Sequence, residues 1–362
     1  MAHETGKRKE DHIRICLGNQ AQARNATAGF EDIQLVHRAL PEVNKAKINL
    51  STTFLGKKFS APIIVGAMTG GTEQATQINS SIAQAVETLG LGMGVGSQRA
   101  AIEDQKLEET YAITRKMAPN AFLIANIGGV QLVHGYGLRE VKKVVEMIDA
   151  DAVAVHLNAL QEAVQPEGQT NFKGVLAKIA EVAGALDTPV IVKETGAGIS
   201  AEDAKSLEDV GVKAIDVGGV GGTSFAAVEY HRTAKQCLCG EPFWDWGIPT
   251  AVSLIETVQT VKLPVIASGG LRSGTDIAKA LSLNASLASI SQPILQTAIK
   301  STKETEEKLS CLIEELRNAM FLVGAEKITD LAKTPVVITG KTGEWLLARG
   351  FNLQNYAKRG AH

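Results

Sequence analysis

A single (β/α)8 barrel, the TIM-barrel architecture of the α/β class, with N- and C-terminal extensions is the fold this sequence predicts. Three observations predict it: eight short apolar runs, helical patterns between them, and polar side chains recurring where each run ends. The runs are 61–68 (APIIVGAM), 91–96 (LGMGVG), 121–126 (AFLIAN), 151–156 (DAVAVH), 189–193 (PVIVK), 213–217 (KAIDV), 264–268 (PVIAS) and 285–290 (ASLASI). Most are continuously apolar rather than alternating, as strands of a helix-covered parallel sheet are.

Helical patterns fall at about 73–89, 104–117, 138–149, 173–184, 201–210, 249–261 and 275–283. Ser200 precedes Glu202 and Asp203, a cap followed by first-turn acids, and Pro249 suits a helix start. Eight βα alternations favour closure over the alternative, a doubly wound open sheet.

Residues 1–60 are expected to form an N-terminal extension, 61–300 the barrel and 301–362 a helical C-terminal extension. No Pro- or Ser-rich linker divides them, so one domain is expected. Residues 222–248 form a long insertion after the sixth strand, 303–323 reads as a long amphipathic helix, and 325–349 as a short helical tail.

Composition narrows the function. With 44% hydrophobic and 21% charged residues the chain reads as globular, and its net charge of −2 offers nothing to nucleic acid or an anionic membrane. The N-terminus, MAHETGKRKEDHIRICLG, lacks the apolar run of a secretory signal, and no stretch reaches transmembrane length, so the cytoplasm is the expected location. Cys16, Cys237, Cys239 and Cys311 are too few for a disulfide framework and lack the paired spacing of a structural zinc site.

Barrel enzymes place chemistry at the C-terminal ends of their strands. Those positions hold Thr69, Ser97-Gln98-Arg99, Asn126, His156 with Asn158, Gln161 and Glu162, Lys193-Glu194, the GGVGGTS run 218–224, Ser268-Gly269-Gly270 with Arg272, and Ser289. Gly269-Gly270 and Gly274-Thr275-Asp276 join the seventh strand to a helix N-terminus, where backbone N–H groups and the helix dipole favour an anion such as phosphate; Thr223 could add a hydroxyl. The bland alternative is a set of tight turns that need glycine. Lys193 ends an apolar strand and would stabilise negative charge at the mouth; its alternative is a salt bridge to Glu194, which strand alternation disfavours.

Arg8, Lys9, His12, Arg14 and Arg99, with His156, supply donors for a diphosphate, although a basic N-terminus is commonly a solvated tail. Glu162 could be the single carboxylate of a Mg²⁺ site completed by substrate oxygens, or a first-turn helix acid. His156 could equally be a hydrogen-bonded strand-end histidine.

In order along the chain stand RKEDHI (8–13), MTGGT (68–72), GSQR (96–99), HLNALQE (156–162), VKETGAG (192–198), DVGGVGGTSFAAVEYHR (216–232), FWDWGIPTA (243–251) and ASGGLRSGTDIAKAL (267–281). Together they resemble the type 2 isopentenyl-diphosphate isomerases, FMN-dependent barrels. The resemblance implies interconversion of isopentenyl and dimethylallyl diphosphate, with reduced FMN as acid and base near N5, Mg²⁺ on the diphosphate, NADPH as reductant, and assembly as a tetramer or octamer. By motif position, Ala67, Met68, Thr69, Ser97, Asn126, Lys193, Thr223, Gly274, Thr275 and Asp276 would contact FMN, with Ala288 and Ser289 at its phosphate. Arg8, Lys9, Ser97, Gln98, Arg99, His156, Asn158 and Gln161 would hold the prenyl diphosphate, His156 and Gln161 at its reacting end. Gln161 is no ordinary acid and is expected to orient rather than protonate. Glu162 would bind Mg²⁺. Ala159 stands where many members carry proline, and 282–286 (SLNAS) is less glycine-rich than the usual phosphate loop.

Two other readings stay open. An FMN-dependent 2-hydroxy acid oxidase shares the fold but needs a histidine base and an arginine clamp near strands six and seven; Arg272 offers a clamp, and GGVGGTS offers no base. A non-catalytic flavin binder would keep the cofactor groups without the substrate set. A nucleotide dehydrogenase with a catalytic cysteine is disfavoured, because 212–236 contains no cysteine.

Overall fold

The computed structural model describes residues 2–233 and 238–360. Eight parallel strands close into a barrel: β1 Ile63–Val65, β2 Gly92–Gly94, β3 Phe122–Gly128, β4 Ala152–Leu157, β5 Val190–Glu194, β6 Ala214–Asp216, β7 Val265–Ala267 and β8 Leu287–Ile290. Each pairs with its neighbours in sequence, and β8 returns to β1 with Ala288 opposite Ile63. Each of the eight predicted runs meets a strand, with β3, β4 and β5 continuing one or two residues past the predicted end.

The helices fall between them largely as the periodicity predicts. Glu73–Leu89 is capped by Thr72 and ends on a left-handed Gly90, and Ala201–Asp209 is capped by Ser200. The predicted helix at 104–117 is broken. A short helix over Arg99–Glu103 and a 3-10 turn over Gln105–Leu107 precede Glu109–Met117, because the Asp104 carboxylate accepts the Lys106 N–H and restarts the chain.

The helical tail predicted over 325–349 also needs correction. Val336–Ile338 is a strand that pairs antiparallel with Ile33–Leu35 and ties the two extensions together, before a helix over Gly340–Ala348. Its apolar VVI run is too short for periodicity to separate strand from helix. Ile13, Ile33, Leu346 and Tyr356 from the extensions share one buried cluster with the barrel strands and helices.

A hairpin of Thr52–Phe54 and Lys57–Phe59 plugs the N-terminal end of the barrel. Phe54, Phe59 and Phe122 are each at most 2% exposed, with ring centroids 5.5–6.5 Å apart in edge-on or tilted pairs. Phe59→Ala is expected to cost about 3–5 kcal/mol, seen as a lower guanidinium midpoint. The rate per folded molecule should hold, since this end is opposite the strand termini that carry the polar groups.

Those termini open under the helix Ala2–Leu17, which packs on the helix Phe225–Arg232 of the long insertion. Buried Ile15, Ala21 and Val228 form the contact. Among the described residues no helix is long and apolar enough to cross a membrane.

Candidate active site

A cavity of about 290 Å³ occupies the C-terminal mouth of the barrel, roofed by the helix Ala2–Leu17. Its floor is polar. Asn126, on β3, donates its amide to the Val95 carbonyl at 3.0 Å, and its Oδ1 lies 2.8 Å from His156 Nδ1 on β4. Because the amide nitrogen is spent, Oδ1 must accept, so His156 Nδ1 carries the proton and Nε2 is left as an acceptor. Burial first, then the cations of Lys193 and Lys9, hold the imidazole down at about 3, so it stays neutral at physiological pH.

Lys193 Nζ donates to the Glu194 carbonyl at 2.8 Å. The Glu194 carboxylate turns the other way and accepts the N–H groups of Thr195 and Gly196, both at 2.6 Å, and of Ala197. A Lys193–Glu194 carboxylate salt bridge is therefore not formed, and the ammonium faces the cavity.

One wall carries Asn158, Gln161 and Glu162. Gln161 Nε2 donates to Glu229 Oε1 at 3.0 Å, and Glu229 is gripped by His12 at 3.0 Å and Arg232 at 2.6 Å. These donors outweigh burial and hold the Glu229 carboxyl down at about 2, so it stays an anion that fixes the Gln161 amide. Asn158 donates to Glu162 Oε1 at 3.0 Å, while Glu162 Oε2 accepts the Gln169 N–H at 2.6 Å. Asn158 Oδ1 is buried without a hydrogen-bond partner.

Arg8, Lys9 and Arg99 also line the cavity, Arg8 with Nη1 3.7 Å from Glu167 and Arg99 donating from Nε to Glu103 at 2.7 Å. Lys9 Nζ donates to the Ser97 carbonyl at 2.9 Å and to the Tyr111 hydroxyl, which itself donates to Ser97 at 2.7 Å. Burial, then the neighbouring Arg8, lowers the Lys9 amine to about 7. At the far side, Gly269 and Gly270 adopt φ of 107° and 77°, where a Cβ would lie 2.1 Å from the Gly219 carbonyl and 2.4 Å from that of Gly221. Only glycine brings the backbone this close, opening space beside Thr223, Arg272 and Ser289.

Comparison with known proteins gives this geometry a family. The model of the FMN-dependent dehydrogenase family matches residues 2–125 and 131–338. Isopentenyl-diphosphate delta-isomerase of Methanothermobacter thermautotrophicus is 51% identical, over 97% of this chain and 99% of that one. The enzymes of that name from Methanosarcina barkeri and Pyrococcus furiosus are each 49% identical, covering 99% and 98% of this chain and 99% and 92% of their own. This chain belongs to the isopentenyl-diphosphate delta-isomerase family. It is an isomerase built on the FMN-dependent dehydrogenase barrel. A mandelate oxidase variant solved with a monooxide FMN adduct superposes with a TM-score of 0.64 at 18% identity, over 93% of this chain and 99% of that one, a likeness of fold.

In this isomerase the cavity gathers most of the residues expected from sequence. Ala67, Met68, Thr69, Ser97, Asn126, Lys193, Thr223 and Ser289 of the cofactor set line it. So do Arg8, Lys9, Arg99, His156, Asn158 and Gln161 of the substrate set, and Glu162.

Six residues lie elsewhere than expected. Gln98 is fully buried below the mouth; its amide bridges the Asn126 N–H at 2.8 Å and the Val144 carbonyl at 2.9 Å, leaving nothing for substrate. Gly274, Thr275 and Asp276 do not line the cavity. The Gly274 N–H is taken by the Glu315 carboxylate at 2.5 Å, and Asp276 closes a capping box with Ser273, so an anion would meet a carboxylate there. Ala288 points outward to the helix layer while its neighbour Ser289 points in, as strand alternation requires. Arg14, grouped with the donors, lies exposed against Asp11.

Sequence reading missed Glu229, Arg232, Tyr111 and Gln22. Glu229 carried a signal, an acid on the buried side of FAAVEYHR. Gln22 carried none: it reaches Arg272 across 250 residues of chain. Cys237 lies outside the described residues, among which no cluster of three or more His, Cys, Asp or Glu could hold a metal.

Proposed function

We propose that this isomerase interconverts isopentenyl and dimethylallyl diphosphate over reduced FMN, with Mg²⁺ on the diphosphate, NADPH as the reductant, and the whole chain acting as one domain. The observation that carries the proposal is the single cavity that sets three cationic side chains, Arg8, Lys9 and Arg99, against Glu162 and the unpartnered Asn158 Oδ1. A diphosphate needs the first group, and a hard divalent cation takes the oxygens of the second.

The chain fits both absent groups. Thr69 Oγ1 is buried in the cavity wall with no partner, the Gly269–Gly270 backbone leaves room for a phosphate, and Lys193 faces the space between them. These residues, with Asn126, Thr223 and Ser289, would hold FMN. Glu162 and Asn158 would hold Mg²⁺, the remaining positions being filled by diphosphate oxygens and water.

Reduced FMN supplies a proton donor and acceptor strong enough for an unactivated alkene. The protein's own groups do the rest. Arg8, Lys9 and Arg99 fix the diphosphate and so the distance of the alkene from the floor. His156 stays neutral and offers Nε2 as a hydrogen-bond acceptor, which suits orienting a donor and not taking up a proton or clamping an anion. Gln161, locked by Glu229, orients the reacting end.

Lys9 gives the proposal a pH signature. In the free protein its amine is charged below about 7 and neutral above. A bound diphosphate favours the charged form, so above that value binding must take up a proton, and substrate affinity should fall about tenfold per pH unit. Lys9→Arg, which stays charged, should remove that fall. Calorimetric titrations across the range check it. The function itself is tested by omission: chelating Mg²⁺ or withholding reductant should each stop product formation, and full turnover by flavin-free protein would overturn the proposal.

A further inference from the structure

Asp216 ends β6 and is 7% exposed. It is the register partner of Lys193 on β5, so both side chains enter the barrel from adjacent strands on one face. The Ser268 hydroxyl, just past β7, donates to Asp216 Oδ1 and accepts the Gly218 N–H at 3.0 Å. A second, small cavity of about 20 Å³ lies below the main one, lined by Asp216, Lys193, Asn126 and Ser289 among apolar neighbours such as Ile64 and Ile266. An ordered water needs about 10–15 Å³ and two to four polar partners. This cavity is large enough for one, and Asp216, Lys193, Asn126 and Ser289 bring polar side chains to its otherwise apolar lining.

We propose that Asp216 takes up a proton, through a water held in this cavity, when a flavin lying over Lys193 is reduced. The inference rests on the FMN reading above and gives that site a proton store.

The electrostatics set the direction. Burial lifts the Asp216 carboxyl above the usual carboxylate range, and the Lys193 cation is the main force pulling it back. The other groups facing the pair are the Ser268 hydroxyl from β7, the Glu194 carboxyl at the end of β5, which burial pushes up to about 7 and which its own loop N–H groups and the Lys193 cation pull back, and, beyond Lys193, the neutral His156 on β4 and Lys9 on the roof helix. A two-electron reduction places a negative charge on the flavin beside the same ammonium. Lys193 then shares its charge between two anions, the carboxylate in its dry pocket loses part of its support, and its pKa rises again. The balance is simple. A nicotinamide donor delivers a hydride, which is two electrons and the proton that ends on N5, while Asp216 gains one further proton from solvent by way of the water. Asp216 is thus a positioning residue, acting on the cofactor through Lys193.

The test is the reduction potential of the FMN-loaded protein against pH. One proton per two electrons gives a slope of about 30 mV per pH unit, and a second proton, a further tenfold in the equilibrium per unit, adds about 30 mV more. The wild-type protein should show the steeper slope over a window and Asp216→Asn only the shallower one. The reduced-minus-oxidised infrared spectrum should lose its carboxylic acid band in the same variant. Ser268→Ala, which removes a donor to the carboxylate, should keep the steep slope and move its window to higher pH. Equal slopes in the wild-type protein and Asp216→Asn, with FMN bound, would overturn the proposal alone. Should Asp216→Asn fail to fold, an unmoved window in Ser268→Ala would overturn it. Failure of the wild-type protein to bind FMN would overturn the functional reading and this proposal with it.

Discussion

Replacing Lys193 by Met is expected to weaken binding of reduced FMN tenfold to a hundredfold more than binding of oxidised FMN. The side chain enters the cavity floor from β5, and its ammonium is spared a salt bridge because Glu194 spends its carboxylate on its own loop. A hydrogen bond to a charged group contributes about 1.5–3 kcal/mol, and about 1.4 kcal/mol is tenfold in affinity. Only the reduced cofactor presents a full negative charge to this cation, so the loss should fall on that state. Anaerobic titration of apoprotein with each redox form measures the ratio. An equal loss for both forms would mean that Lys193 contributes packing rather than charge.

Glu162→Gln is expected to raise the Mg²⁺ concentration needed for half-maximal turnover by on the order of 100-fold, with the bound-flavin spectrum unchanged. Loss of even an indirect metal partner costs about 10–100-fold, and here the carboxylate itself is removed. The variant keeps the volume of the side chain and its contact with Asn158, so the wall should stay in place. Metal titrations of turnover at fixed substrate provide the measurement. A metal dependence identical to that of the wild-type protein would remove Glu162 from the metal site and leave its carboxylate as a brace for the Asn158 amide and the Gln169 N–H.

The barrel was legible because eight buried parallel strands must be apolar on both faces, and that leaves a run visible in sequence at each position. Residues following those runs inherit a common direction, which is why Asn126, His156 and Lys193 meet on one floor. The roof was less legible. Arg8 and Lys9 read as a solvated tail until Ile13 and Ile15 are seen to bury the helix that carries them. The Gly274 helix start was misread for a related reason. It has the features of an anion site, and the carboxylate that fills it, Glu315, comes from another helix 41 residues on. The bracing of Gln161 by Glu229 is a contact over 68 residues, which periodicity cannot show.

The most direct measurement is an anaerobic incubation of the protein with FMN, NADPH, Mg²⁺ and isopentenyl diphosphate in D₂O, followed by NMR. The account predicts dimethylallyl diphosphate carrying deuterium in the newly formed methyl group, with product far exceeding the NADPH consumed. A bound, reducible flavin that gives no product, or one NADPH consumed for every substrate converted, would contradict it.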